Sequence, residues 1–224
     1  MNLIPVKYRC LSGSSLKVIA LVSMTIDHVA YYVVGEQMGL GGSYFYEWMR
    51  SMGRLAFPIF CFLIVEGYLH THNLKRYMIT LLVTAFISEI PWHLLGNHDS
   101  HNVIFTLFLG LTAVHVISRL KDNRWSVLFT MTITAGLAWL LNTDYSWNGV
   151  FLIVVFFLFR ERKLLTVLFG FPFLMEYGVV GTVIGLMLPL GYNGCRGFIH
   201  GRYMKYLFYV YYPLHLMVIW LCLN

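Results

Sequence analysis

The apolar runs of this chain constrain its fold most. They recur from end to end, and short segments holding most of the charges separate them. A helix needs about 20 mostly apolar residues to cross a bilayer, with a range of roughly 17–25. The sequence therefore predicts an all-α, polytopic bundle with about nine spans (eight to ten). The spans are expected at 16–34, 54–70, 76–95, 103–119, 125–141, 147–160, 163–175, 177–191 and 204–222. The sixth, seventh and eighth are short enough to tilt, to end in interfacial loops or to be re-entrant.

The composition excludes an ordinary soluble domain. Charged residues make up 12% of the chain and hydrophobic residues 58%, whereas soluble domains carry about 25% charged residues. We expect a single integral-membrane domain over residues 1–224. The four cysteines show no paired spacing, so neither a disulfide framework nor a zinc site is expected, and no metal is predicted.

The basic residues indicate the orientation in the membrane. Lysine and arginine concentrate in cytoplasmic loops, so the net charge of +6 does not imply nucleic-acid binding. With the N-terminus in the cytoplasm, Arg50 and Arg54 fall on the outer side and the other loop clusters fall inside. The inner residues are Lys7, Arg9, Lys75, Arg76, Arg119, Lys121, Arg124, Arg160, Arg162, Lys163, Arg196, Arg202 and Lys205. The pattern predicts a cytoplasmic N-terminus and an external C-terminus.

Several ionisable residues lie inside predicted spans. Such a group costs roughly 2.5–3.5 kcal/mol at the bilayer centre and usually faces a bundle interior or a cavity. From a helical rise of about 1.5 Å per residue, His28 and His215 are expected at similar depth near the midplane, on the first and last helices. The residues of this group are Asp27, His28, Glu66, Glu89 and His215.

Lys17 and His28 are predicted to share one helix face. They are separated by roughly three helical turns, with Lys17 at the cytoplasmic interface. A ligand with an anionic head and a long thin arm, such as a coenzyme A thioester, fits along that face. The structural alternatives are a snorkelling role for Lys17 and interhelical hydrogen bonding by Asp27 and His28.

Structural explanations also exist for the other polar residues. Glu66 and His70 are four residues apart, so a plain surface pair accounts for them. His215 follows Pro213, whose kink frees a backbone carbonyl that the histidine can satisfy. Asp144 suits a turn or a helix cap. The outer-loop histidines are expected to be solvated rather than metal-bound: His93, His98 and His101.

Seven segments, in order, resemble one known family and span nearly the full chain. They are LKVIALVSMTIDH (16–28), MGRLAFPIFCFLIVEGYLHTHNLKRY (52–77), FISEIPWHLL (86–95), NVIFTLFLG (102–110), TDYSWNGV (143–150), YNGCRG (192–197) and KYLFYVYYPLHL (205–216). These segments resemble the TraX family.

The resemblance implies a membrane acyltransferase of the bacterial plasma (inner) membrane. The namesake of the family is implicated in N-terminal acetylation of conjugative pilin. The family is similar to the acyltransferase 3 group, which transfers acyl groups from acyl-CoA, often to extracytoplasmic glycans. That group carries an arginine, ten residues and a histidine on its first helix. Here Lys17 replaces the arginine, which keeps the charge but loses the two-pronged guanidinium that binds phosphate. His28 matches the family's proposed base.

Acyl transfer from a thioester needs a base, groups that stabilise an oxyanion, and contacts that hold the donor phosphates. On this resemblance His28 is expected to be the base, because histidine titrates near neutral pH. Asp27 is expected to orient a ring or an amine, and His215 is expected to support His28 as a partner or to be the alternative base. Arg54 and Glu66 complete the predicted catalytic set.

The remaining predicted site residues divide into two groups. The acyl-CoA group lies toward the cytoplasm and consists of Lys17, His70, Arg76 and Arg196. The acceptor-binding group consists of Glu89, Asn102, Thr106 and Asp144.

The leading hypothesis is an acyltransferase that moves an acyl group, expected to be acetyl, from acetyl-CoA to a pilin amine or a surface-glycan hydroxyl. The expected partners are membrane lipid, the acyl-CoA donor and that acceptor. The main alternative is a proton-coupled transporter, since buried Asp, Glu and His residues also form proton relays. The chain shows no repeated halves, a feature that many carriers have. A scaffold without chemistry is a weaker third hypothesis.

Overall fold

The computed structural model describes residues 9–120, 123–199, 201 and 204–224. Within these residues the chain is helical, which confirms the all-α prediction, and it forms no sheet. Among the basic residues assigned to the cytoplasm, Lys7, Lys121 and Arg202 and the side chain of Lys205 lie outside the described part. The helices are α1 Gly13–His28, α2 Tyr44–Gly53, α3 Ala56–His70, α4 Leu74–Leu94, α5 Val103–Arg119, α6 Arg124–Leu140, α7 Ser146–Leu158, α8 Lys163–Gly170, α9 Val179–Met187 and α10 Met204–Leu223.

The helices differ in whether they are long enough to cross a bilayer. Of the residues described, 4 helical segments are long and apolar enough: Gly13–Gln37, Tyr44–His70, Leu74–Leu94 and Tyr206–Leu223. Shorter apolar helices cover Val103–Arg119, Ser146–Leu158, Lys163–Phe173 and Val179–Gly191. Each predicted span coincides with helix, but nine spans and the orientation stay predictions. Large apolar side chains point outward on these helices, Phe86 and Leu140 among them, as expected where lipid is the solvent.

Helix α2 was not among the predicted spans. Ser43 caps it by accepting a hydrogen bond from the backbone N–H of Tyr46. Its sequence places Glu47 and Arg50 among aromatic residues, so the helix contains no continuous apolar run that would predict a span. With α3 it forms the segment Tyr44–His70, which begins ten residues before the predicted span at 54–70.

Helix α1 continues into a rare backbone form. The α-helix ends at His28, and residues Val29–Gln37 form a π-helix. Most π-helical turns occur as local bulges, frequently at functional sites. The predicted first span is therefore confirmed as helix, with a change of helix type directly after its histidine.

The chain divides into two compact units, and each is described by itself. The first comprises residues 1–60 and 161–224, and the second comprises residues 61–160. The expectation of a single domain stays a prediction.

In the first unit, two glycines let α9 approach the chain around the start of α3. A Cβ on Gly181 would lie 2.3 Å from the carbonyl oxygen of Ser51, and a Cβ on Gly185 would lie 2.5 Å from Cγ of Pro58. A small residue at every fourth position allows this close backbone approach between membrane helices. The short α9 is thereby held against the segment that carries Arg54.

In the second unit, α5 and α7 pack closely at Gly110. A Cβ there would lie 2.2 Å from Cδ1 of Ile153, so glycine is required for this packing. Leu111 and Val114 on α5 are fully buried in the same region.

Candidate functional site

Two histidines from the ends of the first unit meet at the centre of the candidate site. Nδ1 of His28, the last residue of α1, lies 2.7 Å from Nε2 of His215 on α10. The rings stack with centroids 4.9 Å apart, and His215 is only 7% exposed. The structure thus brings together the two deep histidines that the sequence placed at similar depth.

The hydrogen bonds of His215 assign the tautomers of both rings. Nδ1 of His215 lies 3.0 Å from the carbonyl oxygen of Tyr211. A carbonyl oxygen only accepts, so this nitrogen carries the proton. In the neutral ring Nε2 of His215 is then an acceptor, and Nδ1 of His28 donates to it. Nε2 of His28 is left as the unprotonated nitrogen, the atom that a general base uses.

The predicted structural role of His215 is not the one that the structure shows. Pro213 leaves the carbonyl of residue i−4, Tyr209, without its helical N–H donor. His215 bonds instead to the carbonyl of Tyr211.

Aromatic residues surround the pair. The Tyr211 ring stacks on His215 with centroids 5.3 Å apart and an interplanar angle of 13°. The Thr25 hydroxyl donates to the carbonyl of Leu21 and lies 2.7 Å from the Tyr211 hydroxyl. Tyr211 therefore donates to Thr25, which ties α10 to α1 one turn before His28.

An apolar cleft opens beside His215, and His28 is not among the residues that line it. Its volume is ≈ 380 Å³, and it is lined by Thr25, Tyr211 and His215 together with aliphatic residues such as Val33 and Val218. Val33 follows His28 along its helix and Val218 follows His215, so the cleft extends away from the Lys17 end of α1.

Asp27 forms an ion pair with Arg50, which the sequence predicted only as a basic residue on the outer side. Oδ2 of Asp27 lies 2.7 Å from Nη1 of Arg50, and the guanidinium also lies over the Tyr31 ring at 5.3 Å. The other oxygen, Oδ1, is buried and has no hydrogen-bond partner among the described residues. A Cβ on Gly53 would lie 2.3 Å from this oxygen, so glycine is required there. Arg54, next in sequence, lies over the Tyr177 ring at 5.4 Å.

The predicted donor-binding residues of the first unit lie at the start of α1. The backbone N–H of Gly13 donates to the carbonyl of Cys195, and the N–H and hydroxyl of Ser14 donate to the carbonyl of Arg196. This docks the loop carrying Arg196 one turn from Lys17. The Lys17 ammonium also lies 5.3 Å from the centroid of the Phe208 ring on α10.

The predicted acceptor-binding residues form a separate network in the second unit. The N–H of Asn102 donates to Oε1 of Glu89 at 2.9 Å, and the Asn102 side chain caps α5. The Thr106 hydroxyl contacts the Thr143 hydroxyl and the carbonyl of Asp144. These four residues bond in two pairs, Glu89 with Asn102 and Thr106 with the carbonyl of Asp144, and each pair has further partners.

The remaining predicted residues lie at the end of α3 and the start of α4. Nδ1 of His70 lies 3.7 Å from a carboxylate oxygen of Glu66 and 2.9 Å from its carbonyl oxygen. This is the simple i, i+4 pair considered in the sequence analysis. Arg76 is exposed, and its N–H donates to the Asn73 side chain that caps α4.

Arg50, Gly53 and Tyr211 were missed as site residues. Arg50 and Gly53 lie on α2, which no predicted span covers, and Tyr211 enters the sequence predictions only within the family-like segment 205–216. The available signal was helical spacing: Tyr211 precedes His215 by four residues and therefore shares its face.

The apolar helices and the buried polar cluster define a helical membrane protein with a polar site among its helices. Comparison with known proteins identifies the family. The sequence profile described as "TraX protein" matches residues 12–223, and the chain belongs to the TraX family.

Two relatives extend this result. The chain is 28% identical to a protein of Dichelobacter nodosus described as "Probable fimbrial assembly protein FimC, serogroup H1", over 93% of this chain and 94% of the relative. It is 25% identical to an uncharacterized protein of Rickettsia prowazekii (strain Madrid E), over 78% of this chain and 66% of that one. No solved structure matches.

Proposed function

We propose that the chain is an acyl-CoA-dependent acyltransferase of the bacterial plasma membrane in which His28 is the general base. The observation that carries the proposal is the bond from Nδ1 of His28 to Nε2 of His215, 2.7 Å long. It leaves Nε2 of His28 as a base in a fixed orientation, as acyl transfer requires. A similarity to the acyltransferase 3 group is part of the proposal.

The reaction follows from this arrangement. An acceptor amine or hydroxyl attacks the thioester carbonyl carbon while Nε2 of His28 takes its proton. The carbonyl oxygen becomes an oxyanion, and the nearby positive charge of Arg54 stabilises it. The intermediate collapses with cleavage of the carbon–sulfur bond, and the proton on His28 passes to the departing CoA sulfur. Nothing is consumed besides donor and acceptor.

Donor and acceptor approach His28 from opposite directions. Lys17 and the docked Arg196 loop lie at the start of α1, where they would hold the donor phosphates. The ≈ 380 Å³ cleft lies beside His215, away from the Lys17 end of α1, and would admit the acceptor. With nine spans and a cytoplasmic N-terminus, the donor end faces the cytoplasm and the cleft faces outward.

We further propose that the acceptor is a pilin amine and that the acyl group is acetyl. The Dichelobacter relative, aligned over 94% of its length, is described as a fimbrial assembly protein, which favours a pilus subunit over a surface glycan. The acceptor-binding role of Glu89, Asn102, Thr106 and Asp144, and the donor-binding role of His70 and Arg76, belong to this proposal.

The test uses the purified full chain in liposomes supplied with acetyl-CoA and a pilin peptide bearing a free N-terminus. We expect release of CoA thiol and a mass increase of one acetyl group on the peptide, both absent when the peptide is N-terminally blocked. A carrier would instead translocate solute without cleaving a thioester. Proton flux without CoA release would overturn the proposal and favour the proton-coupled transporter.

A further inference from the structure

Two histidines and a glutamate of the second unit converge on one point. Glu89, His93 and His101 each offer one ligand atom, and the three atoms lie within 4.8 Å of one another. Oε2 of Glu89 lies 3.1 Å from Nε2 of His93 and 2.9 Å from Nδ1 of His101. In a tetrahedral zinc site with bonds of about 2.0–2.1 Å, neighbouring ligand atoms are about 3.3 Å apart. Two of the three separations are already near this value.

The backbone holds these ligands in place. Glu89 and His93 are four residues apart on α4 and share one face. The N–H of His101 donates to the carbonyl of Asn142, and its own carbonyl accepts from the N–H of Asp144. Nε1 of Trp92 donates to the carbonyl of Ser100 at 2.8 Å, which fastens the connection between α4 and α5 onto α4.

The glutamate is oriented by a second layer of hydrogen bonds. Its Oε1 accepts from the backbone N–H and the side-chain amide of Asn102, which is fully buried. This leaves Oε2 directed at both imidazoles. Partners that hold the far atom of a metal ligand are typical of metal centres.

We propose that Glu89, His93 and His101 form a binding site for a divalent transition-metal ion of the zinc class. Two imidazole nitrogens and one carboxylate oxygen suit Zn²⁺ and its neighbours better than Mg²⁺ or Ca²⁺, which prefer oxygen ligands. The three protein ligands leave a fourth position for water. On binding, each neutral imidazole moves its proton to its other nitrogen, so the site needs no additional reactant.

The ion would tie together three parts of the second unit. His93 and Glu89 belong to α4, His101 precedes α5, and the backbone of His101 is paired with the segment before α7. The ion therefore has a structural role, in which it links these three segments.

The test is Zn²⁺ binding by the full chain in detergent, with any affinity tag removed, measured by competition with a chromogenic chelator. We expect one equivalent to bind to the wild type. His93→Ala and His101→Ala should each weaken binding at least about tenfold, and His72→Ala, in the loop between α3 and α4, should bind as the wild type does. The imidazoles of His93 and His101 are 41% and 43% exposed, so these substitutions should leave the fold intact.

A second measurement distinguishes loss of the metal ligands from loss of Zn²⁺ binding through misfolding. Zn²⁺ should raise the thermal midpoint of the wild type and of His72→Ala, because a ligand that binds only the folded state stabilises it. At the same Zn²⁺ concentration it should raise the midpoints of His93→Ala and His101→Ala less, while their metal-free midpoints match that of the wild type. No binding by the wild type, or equal binding by all variants, would overturn the proposal.

Discussion

Nδ1 of His28 donates to Nε2 of His215 across 2.7 Å, and His215 is anchored in turn to the carbonyl of Tyr211. His215 is therefore a positioning residue for His28. We expect His215→Ala to lower kcat for CoA release at least about tenfold with little change in KM, because the base loses its orientation but the donor contacts remain.

The conservative variant separates positioning from folding. His215→Gln offers an amide oxygen to the Nδ1–H of His28 and should recover part of the lost kcat. Equal activity of His215→Ala and the wild type would contradict the assigned role.

The Asp27–Arg50 pair predicts a stability effect. Both side chains are mostly buried, with 16% and 17% of their surface exposed, and removing Arg50 leaves the buried Asp27 carboxylate without its ion-pair partner. Arg50→Ala should lower the free energy of unfolding by about 3–5 kcal/mol. The measurement is thermal or denaturant unfolding in detergent, with the exposed Arg124 replaced by Ala as the control. Equal stability of the two variants would show that the pair contributes nothing.

Gly53 offers a test of the packing between α1 and α2. A Cβ at this position would lie 2.4 Å from Cβ and 2.7 Å from Cα of Asp27, so Gly53→Ala must push the backbones apart. We expect a loss of about 1–3 kcal/mol and lower activity. Gly136→Ala is the matched control, since no atom lies within 4 Å of its new Cβ and alanine favours helix by about 1 kcal/mol. A neutral Gly53→Ala would mean that the helices do not approach this closely.

Lys17 is expected to act on donor binding. Lys17→Ala should raise the KM for acetyl-CoA roughly tenfold or more, as expected from the loss of a charge-assisted contact of about 1.5–3 kcal/mol. Lys17→Arg should have a KM close to that of the wild type, because arginine keeps the charge and adds a guanidinium that can bind phosphate through two N–H groups. The exposed Lys75→Ala is the control. A KM unchanged in Lys17→Ala would favour the snorkelling role instead.

The sequence predicted the positions of the helices well because apolar runs report burial in lipid directly. It did not predict α2, where Glu47 and Arg50 interrupt the run, nor the π-helix after His28, which changes the hydrogen-bond spacing without changing the composition. It did predict that the sixth to eighth spans are short, and Ser146–Leu158 is, but it did not predict that Val103–Arg119 is also among the shorter helices.

The sequence predicted the similar depth of His28 and His215, whereas most contacts of the candidate site could not be predicted; the functional roles of its residues stay predictions. The helical rise per residue predicted that His28 and His215 lie at the same depth in the membrane. Their hydrogen bond also depends on how each helix is rotated about its axis, which the rise does not determine. For the same reason Asp27 was identified without Arg50. The outer-loop histidines were expected to be solvated. The sequence did not predict the approach of His101 to Glu89, because it depends on the pairing of the His101 backbone with residues 142–144.

The most direct test of the account is a double-mutant cycle on acetyl-CoA-dependent CoA release, with wild type, His28→Ala, His215→Ala and the double variant compared at matched fold and membrane incorporation. If His215 acts only through His28, His28→Ala abolishes release, and the double variant is no slower than His28→Ala alone. CoA release at the wild-type rate by a folded His28→Ala protein would contradict the central claim that His28 is the base.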